Sequence, residues 1–318
     1  MSQTLRAGVI GAGVFGGYHA AQWSRLPGAQ LAAVLDVDAD RAAALADKHG
    51  VTAFVAQTPP ERSLGRPTPE IEAFLEAVDV VSITAPAAAH GPWALTALKA
   101  GKPLYVEKPL AATPREADAI LAAAARQSLV VACGFLERAA LIACGLGRPQ
   151  ERLLAFEAVR RAKASPRNLD VSVALDLMIH DLDLALWLGG GAPFAVEAEG
   201  RCIFSDQPDE MTAEVTFDDG LVARFSASRA ADAPERTLRL TFASGVVEID
   251  LLAGVARGPR QLNLDPRFGE TPMGKDRLAA SLAAFAGAVR GEGAPLADAA
   301  DGARALDLAL AVEHALGC

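Results

Sequence analysis

Three stretches of this chain carry residue types and spacings that could do chemistry. In the first, a short apolar run from Ala7 to Ile10 breaks into Gly11-Ala12-Gly13-Val14-Phe15-Gly16. Gly11 suits a tight turn out of a strand, Gly13 lets the backbone approach a pyrophosphate, and Gly16 lets the following helix pack close to its sheet. The unpaired N–H groups where that helix starts, around Val14 and Phe15, favour phosphate, as does the positive end of its dipole. A glycine-rich turn alone would be ordinary, but a second apolar run, Gln30 to Leu35, ends in Asp36, twenty positions beyond Gly16. That is where a dinucleotide-binding unit places the carboxylate for the ribose hydroxyls. Arg41 is the first basic residue after it, so a 2′-phosphate would meet Asp36 and Asp38, and NAD is favoured over NADP.

The second stretch is Glu107-Lys108-Pro109, directly after an apolar run that reads as a parallel strand. Ligands of such sheets sit beyond the carboxyl ends of the strands, so Lys108 can reach the reactive end of the cofactor; the alternative is a solvated surface lysine. The third is Asp176-Leu177-Met178-Ile179-His180-Asp181-Leu182-Asp183, set in otherwise apolar sequence. At 100° per residue Asp176, His180, Asp183 and Trp187 share one helix face, and Asp181 lies off it. Buried carboxylates and an imidazole must be paired or line a wet cleft, so the choice is a structural His–Asp pair or a site.

The elements that must hold these groups alternate in type. Strands ending near Ile10, Leu35, Val55, Thr84, Val106 and Cys133 are separated by helices such as Asp40 to His49, His90 to Ala100 and Thr113 to Gln127, which implies a parallel sheet covered on both faces. A proline-rich loop spans Thr58 to Pro69. From about Glu151 the pattern becomes longer alternating strands with hairpin turns at Asp218-Asp219-Gly220 and Ser244-Gly245. The expected fold is α/β: a doubly wound Rossmann domain over 1–127, then an α/β domain over 128–318 with a large, open, mostly antiparallel sheet. Strands such as Leu221 to Ser228 turn apolar residues to one side and Arg224, Ser226 and Ser228 to the other, so the open face is expected to cover another copy.

Composition narrows the partners. With 318 residues and 51% hydrophobic content the chain can bury two cores, and 30 basic against 39 acidic residues give a net charge of −9, which disfavours nucleic acid or an anionic membrane. No export signal or membrane span is read, and the four cysteines lack metal or redox spacing, so a cytoplasmic protein without a metal is expected.

Taken together, the glycine fingerprint, Asp36, Glu107-Lys108-Pro109, and Asp176 with His180 resemble the Gfo/Idh/MocA family of nicotinamide oxidoreductases over essentially the whole chain. Its proline and histidine after the fourth strand are matched by Pro86 and His90, with Ala85-Pro86 in place of the usual Thr-Pro. The resemblance implies catalysis by Lys108, Asp176 and His180, a cofactor touched also by Pro86, His90 and Glu107, and homodimers or homotetramers built on the open sheet. The segment Asp170 to Asp181 with Arg160, Arg161 and Arg167 looks like the branch acting on UDP-N-acetylglucosamine and related sugars, forming a 3-keto sugar. There the arginines, with Arg138, would meet substrate, a diphosphate being suited to bidentate guanidinium contacts. That branch usually continues Glu-Arg with Phe-Asn-Pro, whereas here Ala139 and Ala140 follow Glu137-Arg138. The alternatives are an oxidoreductase of a simple sugar, inositol or trans-dihydrodiol, and a non-catalytic NAD-binding sensor.

Overall fold

The computed structural model describes residues 4–56, 67–147, 149, 151–165 and 169–316. They form two compact units: residues up to Phe135 with Leu278–Ala303, and Leu136–Arg277 with the residues from Arg304 on. No described helix is long and apolar enough to cross a membrane.

In the first unit, β1 (Leu5–Ile10), β2 (Ala29–Asp36), β3 (Thr52–Val55), β4 (Val80–Ile83), β5 (Leu104–Val106) and β6 (Val131–Cys133) make a six-stranded sheet in the order β3-β2-β1-β4-β5-β6. Every pairing is parallel. Helices α1 (Val14–Trp23), α2 (Ala39–His49), α3 (Pro69–Ala77), α4 (His90–Lys99) and α5 (Pro114–Gln127) cross between strands. Covered on both faces, the strands are mostly apolar, and all four residues of β4 are buried. Local chemistry sets the helix ends: Asp38 accepts the Arg41 N–H at 3.0 Å to open α2, and Gly50, at φ 65°, closes it. Strand order reverses between β1 and β4, which opens a crevice at their carboxyl ends. A helix from far along the chain, Arg277–Val289, completes this core: Phe285 packs edge-on against Trp23 and Tyr105, and Ser281 hydrogen-bonds the Tyr105 hydroxyl at 2.9 Å.

The second unit holds α6 (Glu137–Cys144), α7 (Ile179–Gly189), and strands β7 (Ala155–Arg161), β8 (Pro193–Arg201), β9 (Glu210–Phe217), β10 (Val222–Ser228), β11 (Glu235–Phe242), β12 (Gly245–Asp250) and β13 (Val255–Arg257). The seven strands run β13-β12-β11-β7-β10-β9-β8, antiparallel except for β7 beside β10, so the α/β class with a largely antiparallel second sheet is as expected. Alternation is strict on β7: Phe156, Ala158 and Arg160 are buried, while Glu157 and Arg161 are exposed. On the open face, Arg257, Glu248, Arg239, Glu157, Arg224, Glu214 and Glu197 stand in register across all seven strands. Arg224 meets Glu214 at 2.7 Å, and Arg239 lies 3.9 Å from both Glu157 and Glu248.

The structure adds detail that residue patterns do not announce. Helix α6 and strand β13 are additional. Strand β8 stops at Arg201, because Asp209 Oδ2 accepts the Ile203 and Phe204 N–H groups and bends the chain away. The helix carrying His180 begins with a π-helical turn, Ala174–Met178, whose wider winding breaks the 100° step between Asp176 and His180.

Candidate active site

The glycine loop of the first unit is built as its residue types demand. Gly11 sits at φ +97°, and a side chain there would press within 2.7 Å of the Ala85 backbone nitrogen. A Cβ on Gly16 would fall 1.8 Å from the Gly11 carbonyl oxygen, so only glycine lets α1 pack this close to β1. Gly13, ahead of Val14 and Phe15 at the start of α1, has open space where its side chain would be, which leaves the backbone accessible to a pyrophosphate.

Asp36 at the end of β2 is nearly enclosed. Its Oδ2 accepts from Ala12 N at 2.6 Å, and Oδ1 accepts from Asp38 N at 2.8 Å and Arg41 Nη2 at 2.9 Å. Burial alone would push its carboxyl group up, but the N–H groups of Asp38 and Ala12 and the Arg41 guanidinium outweigh that and hold it below the ordinary range. A cleft of about 440 Å³ opens here, lined among others by Asp36, Arg41, Pro86, Pro92 and Trp93. An enclosed anion with adjacent apolar and aromatic walls fits the adenosine half of NAD, and the open Gly13 backbone fits its pyrophosphate. Trp93 was not singled out in the sequence, where it reads as one more buried residue of α4.

Beyond β5 the structure sorts the expected cofactor residues differently. Lys108 is half-buried. Glu107 turns inward, 3.0 Å from Nε2 of the wholly buried His19, and Gly134 gives it room, since a Cβ there would lie 2.7 Å from Glu107 Oε2. His90 is also buried, its Nδ1 at 2.6 Å from the Pro109 carbonyl and its Nε2 at 2.8 Å from the Ala85 carbonyl. Burial pushes the His90 imidazole below its usual range against the pull of the two carbonyls, and the ring braces the ends of β4 and β5. Glu107 and His90 are both buried and bonded within the unit, so each fixes the loops that follow β4 and β5.

In the second unit Ser172 Oγ accepts the Ala174 N–H at 3.1 Å and fixes the start of the π-helical turn that carries Asp176. His180 follows in the first turn of α7, its side chain 16% exposed, with Nδ1 3.1 Å from Glu137 Oε2. Glu137, the first residue of α6, is therefore the partner behind the imidazole, a role the sequence did not indicate. Its other oxygen receives Arg160 Nη1 at 2.9 Å. Desolvation works against this carboxylate, yet the charges of His180 and Arg160 hold it well below the usual range.

The arginines expected on substrate are divided by the same geometry. Arg160 is buried and spends Nε and Nη2 on Asp181 at 2.8 and 2.7 Å, so it holds carboxylates rather than a diphosphate. Arg138 is likewise buried, bidentate to Asp183 at 2.9 and 2.6 Å, with its guanidinium 5.1 Å from the Trp187 ring centre. Arg161 follows Arg160 directly and so projects from the opposite face of the sheet, where it lies 3.3 Å from Glu235. Arg167 lies outside the described residues. Arg236 and Arg277, which the sequence reading passed over, do face the group around Glu137, Arg236 at 3.7 Å.

Comparison with known proteins agrees with this architecture. Residues 5–135 match the oxidoreductase family with an NAD-binding Rossmann fold, and residues 145–248 match the GFO/IDH/MocA C-terminal domain. The chain is 34% identical to UDP-N-acetylglucosamine 3-dehydrogenase from Acidithiobacillus ferrooxidans, over 98% of this chain and 97% of that one. A solved structure of that enzyme superposes with a TM-score of 0.86 at 33% identity, covering 99% and 98% of the two chains. Inositol 2-dehydrogenase 4 from Saccharopolyspora erythraea is 32% identical over 66% of this chain and 62% of its own. Scyllo-inositol dehydrogenase from Lactobacillus casei, solved with NAD(H) and scyllo-inositol, shares the fold with a TM-score of 0.79 at 19% identity, covering 99% and 97%. The chain therefore belongs to the Gfo/Idh/MocA family of NAD-binding oxidoreductases.

Proposed function

We propose that this protein oxidises a secondary hydroxyl of a nucleotide sugar of the UDP-N-acetylglucosamine type to the 3-keto sugar. The observation that carries the reading is the half-open His180 with the buried Glu137 carboxylate fixed behind its Nδ1, in a chain similar along its whole length to a UDP-N-acetylglucosamine 3-dehydrogenase. Bound NAD supplies the hydride acceptor. His180 takes the hydroxyl proton at Nε2, and the Glu137 carboxylate compensates the positive charge that the ring then carries at Nδ1. Lys108 stabilises the developing alkoxide. Asp176 orients the sugar. Asp36 holds the adenine ribose, and Arg41, already paired with Asp36, covers it on the outer side.

A second reading, oxidation of inositol, is favoured by relatives such as the Saccharopolyspora inositol 2-dehydrogenase. The two separate in one assay: UDP-N-acetylglucosamine, other UDP-sugars, free sugars and inositol offered with NAD while NADH absorbance is followed. Turnover of inositol with none of any UDP-sugar would overturn the nucleotide-sugar reading.

In the cytoplasm the protein works as a homodimer or homotetramer whose sheets meet face to face. The exposed row of arginines and glutamates supports this, because it offers both signs of charge to a second copy. Light scattering should give an oligomer that Arg224→Glu weakens, and a wild-type monomer at micromolar concentration would rule it out.

A further inference from the structure

Three guanidinium groups gather about one buried carboxylate in the second unit. Arg160 on β7 and Arg236 on β11 are directly opposed in register and so share the inner face of the sheet. Arg160 Nη1 lies 2.9 Å and Arg236 Nη1 3.7 Å from Glu137 Oε1. Arg277 feels the charges of Glu137, Arg236 and Arg160, and its Nη2 donates to the Leu251 carbonyl at 2.6 Å. Like charges facing each other across a strand pair repel, and here one member, Arg160, is buried while the other, Arg236, is partly open to water.

Among the described residues of this cluster, three guanidinium groups meet two carboxylates, Glu137 and Asp181. Asp181 and Glu137 are the carboxylates bonded to Arg160, and they are engaged by it from both sides. Arg236 reaches Glu137 only at ion-pair distance, with 41% of its side chain exposed. Arg277 is half-buried, and burial, with the like charges of Arg236 and Arg160, pushes its guanidinium below the usual range against the pull of Glu137. His180 shares Glu137 through the other carboxylate oxygen and adds a further positive charge whenever it is protonated. A partly exposed surplus of planar, bidentate donors is suited to phosphate oxygens.

We infer that Arg236 and Arg277 form an anion subsite beside His180 that receives the diphosphate of the substrate. This rests on the nucleotide-sugar reading and deepens it: a neutral polyol would leave the two guanidinium groups uncompensated, whereas a diphosphate completes them. Discrimination between the two substrate classes then resides in these two side chains, and Arg160 serves to hold the carboxylate that both they and His180 share.

Isothermal titration of the NAD-loaded full chain tests this with inorganic pyrophosphate, UDP and uridine as probes. Pyrophosphate and UDP should bind, uridine should bind about tenfold more weakly than UDP or worse, and Arg236→Gln and Arg277→Gln should each cost UDP about tenfold or more with NAD affinity unchanged. Should Arg277→Gln fail to fold, Arg236→Gln on its more exposed side chain decides. UDP affinity unaltered in Arg236→Gln, or uridine binding as tightly as UDP, overturns the subsite. Pyrophosphate binding that Arg236→Gln abolishes, in an enzyme that turns over no UDP-sugar, would retain the subsite and refute the substrate. Turnover of UDP-N-acetylglucosamine with unchanged KM in Arg236→Gln would do the reverse.

Discussion

Each unit buries a glutamate against a histidine, and the two pairs differ in what surrounds them. Glu107 and His19 meet at 3.0 Å with the ring wholly enclosed, while Glu137 and His180 meet at 3.1 Å with the ring partly open. Burial pushes both carboxyl groups up, and both end below the ordinary range, Glu107 through the His19 bond and Glu137 through the charges of His180 and Arg160. Behind Glu137 stands a guanidinium that cannot lose its proton, whereas the side chain bonded to Glu107 is an imidazole that can. Identical pairing chemistry thus serves two ends. A sealed ring braces α1 against the end of β5, and a ring that reaches solvent with a fixed anion behind it can take and return a proton.

Turnover should separate the pairs most widely. His180→Asn should lower kcat by about 10²- to 10⁴-fold with NAD affinity retained, and Lys108→Ala should do the same without loss of fold. His19→Asn should leave kcat near the wild-type value. Steady-state NADH absorbance with parallel NAD titration reads all three, and a loss at His19 as deep as that at His180 would erase the distinction between brace and base.

Stability should differ next. Glu137→Ala removes one of the two carboxylates on the buried Arg160, and the partner of His180 with it, and should cost about 3–5 kcal/mol. Glu107→Ala leaves a histidine that can become neutral, so about 1–3 kcal/mol is expected. Urea denaturation of the two variants gives the order directly; an equal or greater cost at Glu107 would mean that the sealed pair is the more strongly charged of the two.

The smallest effect lies in acid. Both glutamates titrate below their ordinary 4.5 when folded, so their stabilisation is fully present above that pH and is lost as pH falls below it. Glu137 is held further down and should keep its contribution to lower pH. Thermal melts through the acid range should show Glu137→Gln flattening the decline more than Glu107→Gln does.

Much of this was legible in the chain itself, and the residues show where reading stopped. Gly11, Gly16, Asp38, Gly50 and Thr113 act through their own backbone or a near neighbour, so their types announce the turns and caps they make. Arg160 and Arg161 are consecutive on β7 and so face opposite ways, but residue spacing alone does not say which face holds His180. The helical-face reading of Asp183 and Trp187 is matched by Arg138 covering both, while the π-helical turn at Asp176 has no signature in residue spacing. Glu137 behind His180, and Arg236 beside it, depend on how α6, α7 and β11 pack, a tertiary fact that no local pattern encodes.

Synthesis runs from the amino terminus, and the helix Arg277–Val289 reaches back to line Trp23 and Tyr105. On the ribosome, the nucleotide-binding unit therefore emerges with an aromatic seam unfilled and must wait until the second unit's sheet and the helix Arg277–Val289 have been made. A nonsense mutation or proteolytic cut before Leu278 would thus cripple the cofactor-binding half of the molecule, although every residue of its glycine loop would already be in place.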